Sequence, residues 1–152
     1  MRILVLHGPN LSLLGRREPH LYGAMTLEEL DRRLQALARE LGAEALIAQS
    51  NHEGELVDFL HRNMDSADGA IVNPAGLTQH GVSLHDAIKA MPFPVIEVHI
   101  TNIAAREPWR MQSIIAAAAR GTVQGLGWRS YTAALRALVE ILREENPGSR
   151  RN

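Results

Sequence analysis

The run Pro94-Val95-Ile96-Glu97-Val98-His99-Ile100 sets a glutamate and a histidine alternately among aliphatic residues. Alternate residues of a strand point to one side, so Glu97 and His99 would be neighbours in an apolar setting. An unpaired carboxylate is expensive there. Such a pair either holds an imidazole ready to donate a proton or braces the backbone as a structural pair. A second candidate lies in the segment 8–25, where Arg17 precedes Tyr22. A free phenol ionises near pH ~10, so a tyrosine base needs a cation beside it. A guanidinium about 4 Å away supplies up to ~4 kcal/mol at an effective dielectric of 20. The alternative is a solvated basic loop with one packed tyrosine.

Further polar residues bear on binding. Asn73 opens Asn73-Pro74-Ala75-Gly76 and either contacts a polar ligand or caps a turn. Arg106 and Arg110 bracket Glu107-Pro108, a helix start, and either clamp a carboxylate or form surface ion pairs. The chain has 7 histidines but no HExxH or similar close spacing, so no metal site is expected. Lys89, the only lysine, lies mid-helix, which speaks against Schiff-base chemistry. With no cysteine, disulfides, thiolate nucleophiles and thiolate metal sites are excluded, and a cytoplasmic protein is expected.

Short apolar runs at 3–6, 43–48, 70–72, 95–100 and 122–126 alternate with amphipathic stretches, the pattern of a parallel sheet covered on both faces. Thr26-Leu27-Glu28-Glu29 reads as a capping box, followed by Leu27, Leu30, Leu34, Leu37 and Leu41 at helical spacing up to Gly42. Ser50-Asn51-His52-Glu53 reads as a second box, opening a helix with Leu56, Phe59, Leu60 and Met64 inward. A third helix spans 83–91, and the last buries Tyr131, Leu135, Leu138 and Leu142. The expected architecture is an α/β flavodoxin-like three-layer sandwich with a five-stranded parallel sheet in the order 2-1-3-4-5. It forms one domain over 1–144, with a flexible tail at 145–152. Ligands of such sheets bind beyond the carboxyl ends of the strands, where His7-Gly8-Pro9-Asn10, Gln49 to His52, Asn73 and His99 all fall. The fifth strand offers only glycines there. The loop 8–25 exceeds the usual ~2–6 residues of a βα connection, as lids do.

A length of 152 residues, 45% hydrophobic and 22% charged, suits one ordinary globular domain. A net charge of −1 recruits neither nucleic acid nor an anionic membrane. No apolar run approaches the ~20 residues of a membrane span. Gly8-Pro9-Asn10 interrupts the N-terminal apolar run too early for a signal peptide, so Met1 to Leu6 reads as the first strand.

Taken together, Gly8-Pro9-Asn10-Leu11-Ser12-Leu13-Leu14-Gly15, Arg17-Glu18-Pro19, Tyr22-Gly23, Gln49-Ser50-Asn51-His52-Glu53-Gly54, Ile96-Glu97-Val98-His99, Asn102-Ile103 and Ala105-Arg106-Glu107 resemble the type II 3-dehydroquinate dehydratase family over roughly residues 3–142. The resemblance implies a cofactor-free elimination of water from 3-dehydroquinate through an enolate. It implies that Tyr22 removes the proton beside the ketone, assisted by Arg17, and that His99, supported by Glu97, protonates the departing hydroxyl. Asn10 would hold a water near the enolate oxygen. Asn73 and the backbone of Ile100 and Thr101 would take the substrate carboxylate, with Arg110 and Gln79 toward ring hydroxyls and Arg106 ordering the lid. The family's typical dodecamer of trimers implies a homo-oligomer in which Asp86 serves a neighbouring subunit's site.

The sequence departs from the family in places. Thr78-Gln79-His80-Gly81 stands where Thr-His-Thr-Ser is usual, and Ala104 stands where the family has histidine. Pro108, Met111-Gln112 and His85 before Asp86 also differ. Gln79 and Gly81 keep one alternative in view, a lyase for a related cyclic hydroxy-acid, and a second is a flavodoxin-like binding or signalling domain with FMN or phosphate at the strand ends. The second is opposed by the first loop, which carries Arg17 and Tyr22 instead of a glycine-rich phosphate cradle.

Overall fold

A computed structural model describes residues 1–146. Its elements run β1 (Arg2–His7), α1 (Pro19–Tyr22), α2 (Leu27–Glu40), β2 (Glu44–Gln49), α3 (Glu53–Arg62), β3 (Gly69–Asn73), α4 (Val82–Ala90), β4 (Val95–His99), β5 (Gly121–Gln124) and α5 (Arg129–Glu145). All strands are parallel, in the expected order β2-β1-β3-β4-β5.

The period of two in each strand splits its apolar residues between two cores. Ile3, Val5, Ile71, Ile96 and Val98 pack against Leu30, Leu34 and Leu37 of α2 and Leu135, Leu138 and Leu142 of α5. Leu4, Leu6, Ala70, Val72 and Val95 face Leu56 and Leu60 of α3 and Leu84, Ala87 and Ile88 of α4. A fully buried aliphatic side chain contributes roughly 1.5–3 kcal/mol. These layers therefore hold the strand ends rigidly enough to carry a site.

The capping box of α2 forms as expected: Glu29 N donates to Thr26 Oγ1 at 3.2 Å, and Thr26 N to Glu29 Oε2 at 2.9 Å. That bond to the Thr26 backbone holds the exposed Glu29 carboxyl below its usual range. Gly42, at φ 70°, follows the helix in the left-handed region. The second expected box does not form. His52, not Ser50, is the residue before α3, and it makes no side-chain cap. Ser50 Oγ instead accepts from His52 N at 2.9 Å and donates to Glu55, while Glu53 Oε1 accepts from Leu84 N at 2.9 Å, tying α3 to α4. Ser50 finds its partners two and five residues on, and Glu53 finds its own 31 residues away. Strand five is shorter than the apolar run because the chain turns away at Gly125, φ 83°.

Glu145 is still helical and pairs with Arg120 at 3.0 Å. The remainder of the expected tail, from 147 onward, lies outside the described residues. Among the described residues no helix is long and apolar enough to cross a membrane.

Candidate active site

Every strand end borders or braces one cleft. Its lining includes Asn10, Arg17, Tyr22, Asn73, Gln79, His99, Ile100, Thr101, Arg106 and Arg110. Loops brought from four parts of the chain meet there because parallel strands put all their carboxyl ends on one edge.

Backbone shape at the cleft depends on close approach. Gly8 N donates to Asn73 O at 2.8 Å, and a Cβ on Gly8 would lie 2.4 Å from Pro74 O, so only glycine fits. Asn10 and Ala75 adopt φ of 67° and 50°. Each non-glycine residue in that region costs about 1–2 kcal/mol. Asn10 is held there by its N–H to Asn51 Oδ1 at 3.0 Å, and Gln49 Nε2 also donates to Asn51 Oδ1, at 3.2 Å. Ala75 N donates to Asn73 Oδ1 at 3.1 Å.

Glu97 and His99 form the expected pair on the α4-facing side of β4. Glu97 is fully buried, and its Oε1 lies 2.7 Å from His99 Nε2. This commits one ring nitrogen to the carboxylate and leaves Nδ1 for the cleft. Ser113, which the sequence did not flag, donates to the same Oε1 at 2.6 Å. Oε2 is buried without a partner among the described residues.

Tyr22 sits between two guanidiniums, one expected at its oxygen and one not. Arg17 lies over the ring at 5.6 Å from its centroid and pairs with Glu18 at 3.4 Å. Arg106 reaches the phenol oxygen itself: Nη1 donates to Tyr22 Oη at 3.2 Å and lies 3.3 Å from Thr101 Oγ1. Its guanidinium also stands 5.7 Å from the ring centroid. The loop bearing Arg106 is pinned by Gln124 Oε1, which accepts from Ile103 N at 3.0 Å, so strand five contributes a side chain as well as glycines.

Gln79 Nε2 donates to Arg110 O at 3.0 Å and Gln112 O at 3.4 Å, which spends its amide hydrogens on the loop that carries Arg110. Arg110 stacks on Trp109 at 4.0 Å. Its Nε is 2.9 Å from Glu107 Oε2, an ion pair without the aligned N–H of a hydrogen bond. Asp86 is not brought to the cleft of its own chain. It lies on α4, exposed, 2.9 Å from His85 Nδ1.

Beneath Asn73 lies a polar group embedded in the larger core. His7 is fully buried, with Nε2 2.8 Å from Asp31 Oδ1 and Nδ1 2.9 Å from Tyr131 Oη. The sequence marked His7 as a strand-end residue and Tyr131 as core, but gave no sign that they meet. Among the described residues no cluster of three or more His, Cys, Asp or Glu could hold a metal ion.

The cleft thus sets a phenol oxygen with an arginine donor and an imidazole with a carboxylate partner around a space lined by amides and cations. Such a pair can take one proton from a bound molecule and give another. Comparison with known proteins identifies the family. A family model described as Dehydroquinase class II matches residues 1–139. A 3-dehydroquinate dehydratase of Roseiflexus castenholzii is 49% identical over 150 residues, covering 99% of this chain and 95% of the relative. One from Pelotomaculum thermopropionicum is 52% identical over 141 residues, covering 93% and 98%. The crystal structure of a type II dehydroquinase from Propionibacterium acnes superposes with a TM-score of 0.88 at 41% identity, covering 91% of this chain and 96% of that one.

Proposed function

This chain belongs to the class II dehydroquinase family, and we propose that it dehydrates 3-dehydroquinate to 3-dehydroshikimate through an enolate, with Tyr22 as base and His99 as acid. The enzyme is a hydro-lyase of the 3-dehydroquinate dehydratase type. The observation that carries the residue assignment is that Tyr22 and His99 line one cleft, each with a partner of the right kind.

In the first step the ionised Tyr22 takes the proton from the carbon beside the ketone, and the electron pair moves into the carbonyl to form the enolate. Arg106 suits this step, since its Nη1 donates to the oxygen that carries the charge in the resting base. Arg17 adds a second cation over the ring and closes the loop that excludes water. Asn10 holds a water as donor to the enolate oxygen, the charge that most needs preorganised donors. In the second step the enolate collapses, the carbon–oxygen bond to the tertiary hydroxyl breaks, and His99 delivers a proton through Nδ1 so that water leaves. Glu97 accepts from Nε2 and fixes the ring for that delivery. The proton lost by the acid balances the one gained by the base, so the sum needs no cofactor.

Asn73, with the backbone of Ile100 and Thr101, receives the substrate carboxylate, and Arg110 meets ring hydroxyls. Gln79 acts mainly by holding the Arg110 loop, an arrangement supported by its two bonds to carbonyls there. Asp86 serves a neighbouring copy in a homo-oligomer built from trimers, up to a dodecamer. Its exposed position away from its own cleft supports this. The same reading takes the cytoplasm as the site of action, supported by the absence of cysteine.

The test is an absorbance assay for the conjugated enone, with purified protein and 3-dehydroquinate. The product band should grow in wild type and all but disappear in Tyr22→Phe and Arg17→Ala variants that keep the fold. No product from wild type, or turnover only with another cyclic hydroxy-acid, would overturn the substrate assignment.

A further inference from the structure

His7 ends β1 on the sheet face that carries Ile3 and Val5, where an imidazole is out of place unless both nitrogens are satisfied. Both are: Asp31 of α2 meets Nε2 at 2.8 Å and Tyr131 of α5 meets Nδ1 at 2.9 Å. In the sheet register His7 is the direct neighbour of Asn73, on the same face. The Asn73 side chain also lies beside the Tyr131 phenol, and its Oδ1 accepts from Ala75 N at 3.1 Å.

The inventory of donors and acceptors gives this row a direction. A carboxylate only accepts, so the hydrogen facing Asp31 is on Nε2 of His7. In the neutral ring Nδ1 is then a lone pair, and the Tyr131 O–H must donate to it. Burial keeps that phenol protonated by pushing it well above its ordinary range. The phenol oxygen is left as an acceptor toward Asn73. Because Oδ1 of Asn73 is taken by Ala75, the amide shows Nδ2 to the phenol, and its second hydrogen is free to face the cleft. A doubly protonated His7 would reverse the Tyr131 hydroxyl and set it donor against donor on that amide.

We propose that Asp31, His7 and Tyr131 are positioning residues which lock Asn73 as a hydrogen-bond donor toward a carboxylate in the cleft. This rests on the reading that Asn73 receives the substrate carboxylate. None of the three touches the substrate. Their effect falls on its binding, with the proton transfers at Tyr22 and His99 left alone.

The test combines the His7 ring nitrogens, read by 15N NMR, with steady-state kinetics. In wild type at neutral pH the ring should be neutral with its hydrogen on Nε2. Asp31→Asn places an amide opposite that nitrogen and allows the opposite tautomer. Tyr131→Phe removes the hydroxyl without changing shape. Each should raise KM about 10-fold while kcat stays within about twofold, the split expected when only ground-state binding is lost. Asp31→Glu, which keeps the acceptor, should restore most of the affinity. A wild-type ring protonated on Nδ1 overturns the proposal without any variant. So does unchanged KM in both variants while Asn73→Ala raises it. If Asn73→Ala itself leaves KM unchanged, the carboxylate reading fails instead, whatever the tautomer.

Discussion

Replacing Arg106 by alanine removes the only guanidinium that donates to the Tyr22 oxygen among the described residues, a contact of 3.2 Å. A hydrogen bond to a charged group is worth ~1.5–3 kcal/mol, and every ~1.4 kcal/mol is tenfold in rate. If the phenolate is the working base, kcat should fall roughly 10- to 150-fold. Arg106→Lys restores the charge, yet its ammonium lacks the rigid planar fork that aims Nη1 at Tyr22 Oη and Thr101 Oγ1. It should recover part of the loss and no more. The assay is initial-rate absorbance of the enone at saturating 3-dehydroquinate, with circular dichroism confirming the fold. Turnover within about twofold of wild type in Arg106→Ala would refute the claim that this contact holds the base ready.

Three further outcomes are expected of neighbouring contacts. Ser113→Ala takes one of two donors from the buried Glu97 carboxylate; a loss of ~1.5–3 kcal/mol should lower Tm by about 3–12 °C, and an unchanged melting curve would contradict it. Gln79→Leu releases the carbonyls of Arg110 and Gln112 and should raise KM several-fold through Arg110, with kcat nearly kept, whereas a pure kcat loss would place Gln79 in the chemistry. Glu29, whose carboxyl is held low by the Thr26 backbone, stabilises α2 above the ordinary carboxyl range and loses that effect as pH falls through its lowered folded value. Glu29→Gln should therefore flatten the acid limb of stability against pH, and parallel curves for the two proteins would show that the box contributes no pH dependence.

The parts of this fold that were legible in the sequence are those whose partners are close along the chain. Thr26 and Glu29 meet because a helix start brings residues three apart together, and Glu97 and His99 meet because strands alternate. The strand order is that of a flavodoxin-like sandwich, one of those the crossover rule allows, and the cluster of polar residues at strand ends followed from the sheet edge. What stayed hidden depends on distance in sequence. Arg106 is 84 residues from Tyr22, and Tyr131 is 124 from His7. No local pattern encodes either pair. The Ser50 box was misread for a related reason: its serine had a better acceptor in Glu55, and Glu53 had a better donor on another helix. A buried histidine closing an otherwise aliphatic strand was the one available sign that polar partners waited beneath the cleft.

The division of labour between phenol and imidazole is open to a single measurement. Substrate incubated in D2O with each variant can be followed by proton NMR for exchange beside the ketone and for loss of water. With His99→Asn, exchange should continue while dehydration stalls, because the base still forms the enolate. With Tyr22→Phe, both should cease. Continued exchange in Tyr22→Phe would mean that another group takes the proton, and the roles assigned to this cleft would be wrong.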